Sequence, residues 1–199
     1  MHVLMLESSD ISLPLRHWLA TTGGAQVTPH FDPLSIQVCE ALHPDMVVSY
    51  NYRHIIRPDV VERMRGRAVN LHISYLPWNR GAHPNVWSFL EDTPKGVTIH
   101  LVDEGVDTGG ILVQRELQFD PAKETFQTSY QKLHAEIQRL FIESWDRLRT
   151  FSVPAQPQDP HEGSKHYARG LDELMKIFGS NLWTTPVAEV RQRYRGAAS

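Results

Sequence analysis

The sequence predicts an α/β domain in which helices flank a mostly parallel β-sheet. Short apolar segments, typical of buried strands, alternate with longer segments of helical periodicity through the first part of the chain. The segment 45–50 is almost continuously apolar, as expected for a parallel strand that is covered on both of its faces. Together, these observations indicate a Rossmann-like architecture.

The individual elements follow from local signals. Pro33 and Pro58 are placed to begin helices, because proline is tolerated in the first helical turn. Apolar residues recur every three or four positions through 124–149, which predicts a long helix with one face in the core. The predicted strands are 3–6, 26–28, 45–50, 68–73, 96–103 and 111–119, and the predicted helices are 13–21, 33–42, 58–64 and 124–149.

The composition changes after the long helix. The segment 152–160 contains three prolines and two glutamines, which predicts the end of the main domain over 1–150. We expect 151–199 to form a Pro-rich linker and a short C-terminal extension. Its two helical stretches, 171–178 and 186–194, are too small to hold a core alone.

Composition and charge exclude several classes of protein. The 199 residues are 41% hydrophobic and 22% charged, as in globular proteins, and the net charge of −3 disfavours a nucleic-acid partner. No apolar segment approaches the roughly 20 residues of a spanning helix, and the first residues lack the features of a signal peptide. The single cysteine, Cys39, excludes internal disulfides and cysteine-based zinc clusters. We expect a cytoplasmic protein that has no membrane partner and binds no metal. Whether it forms a homodimer stays open.

The first candidate site lies on the predicted strand 68–73. Strand alternation places Asn70 and His72 on one face of the strand and Leu71 on the other. Two neighbouring polar side chains on a buried strand are costly unless each has a partner, either in the core or in a ligand. The strand leads into the loop 74–84, and loops at the carboxyl ends of strands are where α/β folds place ligands. This context favours a ligand site.

The second candidate is the loop 103–110, which contains three carboxylates and three glycines within eight residues. An ordinary hairpin connection explains the glycines, because glycine supplies the positive φ angles of turns. The length of the loop also suits close approach of its backbone to a ligand. Asp107 is a candidate to pair with His72, which would fix the tautomer of the imidazole and favour its charged form.

Three segments together resemble the family of 10-formyltetrahydrofolate-dependent formyltransferases. They are Asn-Leu-His-Ile-Ser-Tyr-Leu-Pro at 70–77, Arg-Gly at 80–81, and 96–109, which ends in Asp-Glu-Gly-Val-Asp-Thr-Gly. The similarity covers about 45–150, and the family formylates glycinamide ribonucleotide, methionyl-tRNA or nucleotide-linked sugars. The resemblance implies a formyltransferase fold for a catalytic domain over 1–150. It also implies catalytic roles for Asn70, His72 and Asp107.

The resemblance further implies where the formyl donor, 10-formyltetrahydrofolate, binds. Family members hold the pteridine with backbone groups of the turn before the Asn-x-His element and of the Asp-containing loop. The matching cofactor-binding positions are Arg53, His54, Ile55, Ile56, Asp103, Glu104 and Gly105. We expect the amine substrate to contact Ser74, Trp78, Asn79, Arg80, Gly81, Pro84 and Gly109.

A mechanism follows from these roles. The substrate amine attacks the formyl carbon, and negative charge develops on the formyl oxygen. We expect Asn70 and a protonated His72 to donate hydrogen bonds to that oxygen. We expect Asp107 to orient His72, to support its protonated form and to help move a proton from the amine through water.

Departures from the branches of the family indicate the acceptor. Purine-synthesis members carry a glycine-rich phosphate loop after the first strand, whereas 6–14 has no glycine and two acidic side chains. The tRNA-acting branch has a large C-terminal nucleic-acid-binding domain, which 161–199 is too short to form. Segments 76–89 and 163–172 resemble short sugar formyltransferases. The predicted acceptor is therefore a nucleotide-linked amino sugar, such as a dTDP-4-amino-4,6-dideoxyhexose.

Other functions stay open at this point. They are formylation of glycinamide ribonucleotide, methionyl-tRNA, an amino acid or a peptide intermediate, hydrolysis of formyltetrahydrofolate, and folate binding without catalysis. A metal-dependent hydrolase is disfavoured, because the spacing of His72, His83 and His100 matches no ligand motif. A dehydrogenase is disfavoured because the Gly-x-Gly-x-x-Gly fingerprint is missing.

Overall fold

The structure, a computed structural model, describes residues 1–197. Six of the strands in this range form one sheet, and two short strands pair separately. In chain order the strands are β1 (His2–Leu6), β2 (Gln26–His30), β3 (Met46–Tyr50), β4 (Ala68–His72), β5 (Arg80–Gly81), β6 (Gly96–Leu101), β7 (Ile111–Glu116) and β8 (Lys165–His166).

Local sequence signals set the limits of the helices, and the start of the longest helix is an example. The longest helix begins after Thr125, whose Oγ1 accepts from the backbone N–H of Thr128 at 3.1 Å and so satisfies a free donor of the first turn. Among residues 1–197, no helix combines the length and the apolar character that crossing a membrane requires. The helices are α1 (Leu13–Thr21), α2 (Ile36–Leu42), α3 (Pro58–Arg63), α4 (Pro84–Leu90), α5 (Phe126–Leu148), α6 (Gly170–Phe178) and α7 (Val187–Ala197).

The main sheet has the strand order β2-β1-β3-β4-β6-β7. The pairs among β1 to β4 are parallel, while β6 pairs antiparallel with both β4 and β7. The predicted α/β fold with a mostly parallel sheet is confirmed. The antiparallel position of β6 has a consequence for the site, because it sets Asn70 directly opposite His100 in the register.

Helix α5 covers one face of this sheet. Val69, Leu71 and Ile99 point to that face and belong to the same core cluster as Leu133 and Phe141 of α5. On the opposite face, α2 and α3 cover β1 and β3. Beyond β3, the side chains that alternate with the core residues are polar, namely Asn70, His72, Thr98 and His100. The second face of β4 and β6 therefore carries the polar residues of the candidate site.

The C-terminal extension packs against the rest of the chain. Leu174 and Phe178 of α6 and Val190 of α7 share a core cluster with Val86 and Phe89 of α4. In addition, β8 pairs in parallel with β5. The extension thus lies beside the loop that follows β4. Its last two residues, 198–199, lie outside the described part of the chain.

Candidate active site

Asn70, His72 and Asp107 lie together over the polar face of β4. Asn70 Nδ2 donates to Asp107 Oδ1 at 3.1 Å, and His72 Nδ1 lies 3.6 Å from Asp107 Oδ2. Asp107 reaches the strand from the loop between β6 and β7. The structure therefore brings the three predicted catalytic residues into one group. The group lies over the face of the sheet and not outside the strand ends, because Asn70 is in the middle of β4.

The carboxylate of Asp107 has several polar partners. Besides Asn70, the backbone N–H of Gly81 donates to Oδ2 at 2.8 Å, and His100 Nε2 lies 3.4 Å from Oδ1. Burial opposes ionisation, but His72, His100 and the Gly81 N–H outweigh it, so the pKa of Asp107 lies well below its ordinary value. Asp107 is therefore ionised at neutral pH. Its φ of 55° costs a non-glycine residue of order 1–3 kcal/mol, which these contacts offset.

His72 is neutral in the ligand-free protein. Burial lowers the pKa of the ring below its ordinary value, and this outweighs the opposing effect of Asp107. The expectation that Asp107 keeps His72 protonated is therefore wrong for the free protein. Because Nε2 lies 3.1 Å from the carbonyl oxygen of Asn79, the single proton is on Nε2, where that carbonyl accepts it. Nδ1 is left unprotonated on the side of Asp107.

His100 belongs to the same network, a role that sequence reasoning missed. Its Nδ1–H donates to the carbonyl of Leu101 at 2.8 Å, and its Nε2 lies 3.2 Å from Asn70 Nδ2. The signal is the alternation of strand 96–103, which places His100 on the polar face. The described residues contain no group of three or more His, Cys, Asp or Glu side chains that could hold a metal ion.

The Arg80 side chain does not face the site. It is 8% exposed, and its Nε donates to Gln158 Oε1 at 3.0 Å. Its Nη atoms donate to the backbone carbonyls of Asp159 and Glu162 at 3.3 and 3.2 Å. The C-terminal extension therefore occupies the guanidinium group in the ligand-free protein, and contact of Arg80 with the substrate stays a prediction.

Four other predicted substrate-binding residues are buried in the protein. The side chains of Ser74 and Asn79 are buried and hydrogen-bonded to neighbouring loop residues. Pro84 is buried at the start of α4, and Gly109 is buried where a Cβ atom would lie 1.8 Å from the Leu101 carbonyl oxygen. Contact of these four residues with a substrate stays a prediction. The half-buried positions left for ligand contact are Trp78 and Gly81.

The first predicted donor-binding segment is the loop after β3. Arg53 is exposed, and its backbone N–H donates to Ser8 Oγ at 3.1 Å, which fixes the loop against the turn after β1. His54 and Ile56 are half-buried. Ile55 is 79% exposed, so the loop offers apolar surface that the protein itself does not cover.

The second predicted donor-binding segment is the start of the Asp107 loop. Asp103, Glu104 and Gly105 are all exposed. Asp103 Oδ1 accepts from the backbone N–H of Gly105 at 3.1 Å and from Thr108 Oγ1 at 2.7 Å, which orders the loop internally. The side chain of Glu104 and the backbone of this turn face solvent, where a polar ring system can reach them.

Comparison with known proteins identifies the family. The family model described as formyl transferase matches residues 16–144. The chain is 42% identical to the formyltransferase PseJ from Anoxybacillus kamchatkensis and covers 97% of it, with 96% of this chain aligned and a TM-score of 0.87. That crystal structure is a complex with UDP-4,6-dideoxy-4-formamido-L-AltNAc and tetrahydrofolate.

Curated relatives point to the same family. The methionyl-tRNA formyltransferase of Syntrophus aciditrophicus is 32% identical over 166 residues, which are 83% of this chain and 51% of the relative. That of Anaeromyxobacter dehalogenans is 34% identical over 184 residues, which are 90% of this chain and 56% of the relative. The chain thus spans about half the length of these curated relatives. The family resemblance predicted from the sequence is confirmed: this chain belongs to the formyl transferase family.

Proposed function

We propose that this chain transfers the formyl group of 10-formyltetrahydrofolate to the primary amine of a nucleotide-linked 4-amino-4,6-dideoxy sugar. The observation that carries the proposal is the convergence of Asn70, His72 and Asp107. The sugar is supported by the 42% identity to PseJ over nearly the whole of both chains. Because the PseJ complex holds a UDP-linked sugar, UDP is the first nucleotide to test, with the dTDP counterpart second.

Exposed groups of the loop after β3 and of the Asp107 loop support binding of the formyl donor. A pteridine is a flat, partly apolar ring system with polar edges, and it needs apolar contact together with backbone hydrogen bonds. Ile55 offers exposed apolar surface on the loop after β3, and Val106 is 37% exposed on the Asp107 loop. The backbone groups of both loops supply the polar partners. The donor brings an electrophilic formyl carbon to the site, and the protein residues activate the amine.

Asp107 and His72 provide the acceptors for the substrate ammonium group. Asp107 is ionised, and the unprotonated Nδ1 of His72 faces it at 3.6 Å, so a carboxylate oxygen and an imidazole nitrogen lie side by side. The ammonium proton moves to His72 Nδ1, which leaves a neutral, nucleophilic amine. The resulting imidazolium has an acceptor at each nitrogen, namely Asp107 at Nδ1 and the Asn79 carbonyl at Nε2.

Asn70 is the donor for the formyl oxygen. In the ligand-free protein its amide nitrogen donates to Asp107 Oδ1 at 3.1 Å and lies 3.2 Å from His100 Nε2. The hydrogen bond to the Asp107 carboxylate is charge-assisted and therefore the stronger of the two contacts, so the second amide proton is the one donated to the formyl oxygen as negative charge develops there. Once the new amide bond forms and the bond between the formyl carbon and the folate nitrogen breaks, the proton held by His72 goes to that departing nitrogen. The attacking nitrogen loses its second proton to water, so the products are the formamide, tetrahydrofolate and one proton.

The relatives that act on methionyl-tRNA define the second candidate acceptor. The net charge of −3 disfavours a tRNA surface, since tRNA binding depends on clustered positive charge. Hydrolysis of the donor uses the same catalytic group with water in place of the amine. Glycinamide ribonucleotide, an amino acid or a peptide intermediate are further amines to compare.

A panel of acceptors tests the proposal. The protein is incubated with 10-formyltetrahydrofolate and UDP- or dTDP-linked 4-amino-4,6-dideoxy sugars, methionyl-tRNA, glycinamide ribonucleotide or free amino acids. We expect a product heavier by one formyl group only with an amino-sugar nucleotide, together with release of tetrahydrofolate. Formylation of methionyl-tRNA alone, or release of formate without any amide, would overturn the proposed acceptor.

A further inference from the structure

The backbone of residues 79–81 touches both titratable catalytic groups. The carbonyl of Asn79 lies 3.1 Å from His72 Nε2, and the N–H of Gly81 donates to Asp107 Oδ2 at 2.8 Å. A shift of this short segment therefore moves a partner of His72 and a partner of Asp107 together. The position of segment 79–81 therefore influences the distance between the side chains of His72 and Asp107.

The C-terminal extension holds this segment in place. The backbone N–H groups of Asn79 and Arg80 donate to the Oγ and the carbonyl of Ser164, at 3.0 and 2.9 Å. The pairing of β5 with β8 continues this contact. The supporting residues lie beyond 16–144, the part of the chain that the family model matches.

Gln158 connects this support to the loop that carries Asp107. Its Nε2 donates to the backbone carbonyls of Asp107 and Gly109, at 2.9 and 2.8 Å. Its Oε1 accepts from Arg80 Nε at 3.0 Å. Both amide protons of Gln158 are therefore used within the protein, so the side chain has no donor left for a ligand.

The main chain around Gln158 is fixed independently of that side chain. Gln156 and Ile111 exchange two backbone hydrogen bonds, each of 2.8 Å, as an isolated antiparallel bridge. A substitution at position 158 is thus expected to leave the course of the chain intact. It removes only the link between the Asp107 loop and Arg80.

We propose that Gln158 is a positioning residue of the formyl-transfer site, which fixes the backbone of Asp107 against Arg80 and so sets the separation between Asp107 and His72. The catalytic part of this inference rests on the proposed function. The structural part, in which Gln158 sets the separation between Asp107 and His72, concerns the ligand-free protein and does not depend on the proposed function. Because Gln158 belongs to the C-terminal extension, the extension contributes to the geometry of the catalytic site.

Two variants and a matched control test the inference. Gln158→Met removes all three side-chain hydrogen bonds at similar length. Gln158→Glu keeps an acceptor for Arg80 but sets an oxygen against the carbonyls of Asp107 and Gly109. Gln156→Met is the control, because the Gln156 side chain is exposed and only its backbone is bonded. For each protein, kcat and KM are measured, and the side-chain nitrogens of His72 are titrated by NMR without ligand.

We expect both Gln158 variants to lower kcat by about tenfold to a hundredfold, with little change in the KM of the donor. In Gln158→Met, which adds no charge, the titration of His72 should move to lower pH, because a displaced Asp107 supports the imidazolium less. The titratable groups that face His72 are Asp107 and His100, and neither is changed in these variants. The control should match the wild type in both measurements.

The inference is overturned if folded Gln158→Met keeps the wild-type His72 titration, whatever happens to kcat. It is equally overturned if Gln158→Glu retains full activity, since then the contact with Arg80 alone suffices. A wild-type protein that formylates no acceptor would refute the proposed function instead. In that case the NMR comparison still decides whether Gln158 positions Asp107.

Discussion

Asp107 Oδ2 and His72 Nδ1 face each other at 3.6 Å, a separation longer than a hydrogen bond. The side chains are only 9% and 12% exposed, for His72 and Asp107 respectively, so the pair opens to solvent along a narrow edge. Because the other nitrogen of His72 already donates to the Asn79 carbonyl, this edge presents two acceptors and no donor. Such an edge suits a positively charged ammonium group better than a neutral or anionic one.

Loss of the charge on Asp107 should stop catalysis while leaving donor binding intact. The Asp107→Asn side chain has the same shape but cannot stabilise an imidazolium at His72, so we expect kcat to fall by about a hundredfold or more. His72→Ala removes the base itself and should have a similar effect. Equilibrium binding of the folate donor, measured beside steady-state kinetics, should stay near the wild-type value. Near-normal kcat in either variant would rule out these roles.

The pH dependence of kcat distinguishes a neutral His72 from a protonated one. Since burial lowers the pKa of His72 below 6.5, the ring is a competent base at neutral pH and becomes protonated only in acid. With both substrates saturating, kcat should be level around neutrality and should fall as the pH drops below this pKa. A kcat that instead falls as the pH rises through neutrality would mean that the protonated ring is required.

Gly81 should be sensitive to a single added methyl group. Its φ is +87°, and a Cβ atom there would lie 2.3 Å from the carbonyl oxygen of His166. Gly81→Ala must therefore separate β5 from β8 and displace the N–H that Asp107 accepts. The matched control is Gly66→Ala, because Gly66 also has a positive φ of +73° but a Cβ atom there meets nothing within 4 Å.

Both alanine variants should lose about 1–2 kcal/mol of unfolding free energy from the strained backbone, and Gly81→Ala should lose more. Only Gly81→Ala should also reduce kcat. Urea unfolding and steady-state kinetics of the two variants provide the comparison. Equal stability losses together with equal kcat would show that the contact between Gly81 and Asp107 is unimportant.

His134 should destabilise the fold in acid. The ring is buried on α5, where Nδ1 is hydrogen-bonded to Tyr50 Oη at 2.7 Å and Nε2 has no hydrogen-bond partner among residues 1–197. Burial lowers the pKa of His134 to about 4, from 6.5. Because the folded pKa is the lower one, the stabilisation is complete above pH 6.5 and is lost as the pH falls towards 4. The loss amounts to about 3 kcal/mol.

His134→Gln keeps a polar side chain that can hydrogen-bond but does not titrate, so its stability should change less between pH 6.5 and 4 than that of the wild type. The control is His161→Gln, since His161 is exposed. Urea unfolding at a series of pH values gives the comparison. Identical pH profiles for the wild type and His134→Gln would show that this buried ring does not control acid stability.

Local periodicity was enough to predict most of the elements. The alternation of β4 placed Asn70 and His72 on one face, and the three- and four-residue spacing located the long helix within two residues of its observed bounds, Phe126–Leu148. Differences arise at helix starts. The predicted helix 33–42 begins at Ile36, because Ser35 acts as its N-cap and accepts from the N–H of Val38 at 3.4 Å.

The rest of the site depends on contacts between distant parts of the chain. No local pattern indicates that β6 runs antiparallel beside β4, and so none predicts that His100 reaches Asn70. In the same way, the sequence around Arg80 is typical of an exposed loop, and only the structure shows that the C-terminal extension buries its side chain. Burial also favours a neutral His72 where the sequence predicted a protonated ring. The size of this burial effect depends on the packing of the whole site, which no local pattern shows.

Isotope transfer tests the central claim most directly. The wild-type protein is given 10-formyltetrahydrofolate with a ¹³C-labelled formyl group and a UDP-linked 4-amino-4,6-dideoxy sugar, and the fate of the label is followed by NMR and mass spectrometry. We predict that the label appears in the formamide of the sugar nucleotide, and that Asp107→Asn abolishes most of this signal. Label recovered only as free formate, or remaining on the folate, would contradict the account.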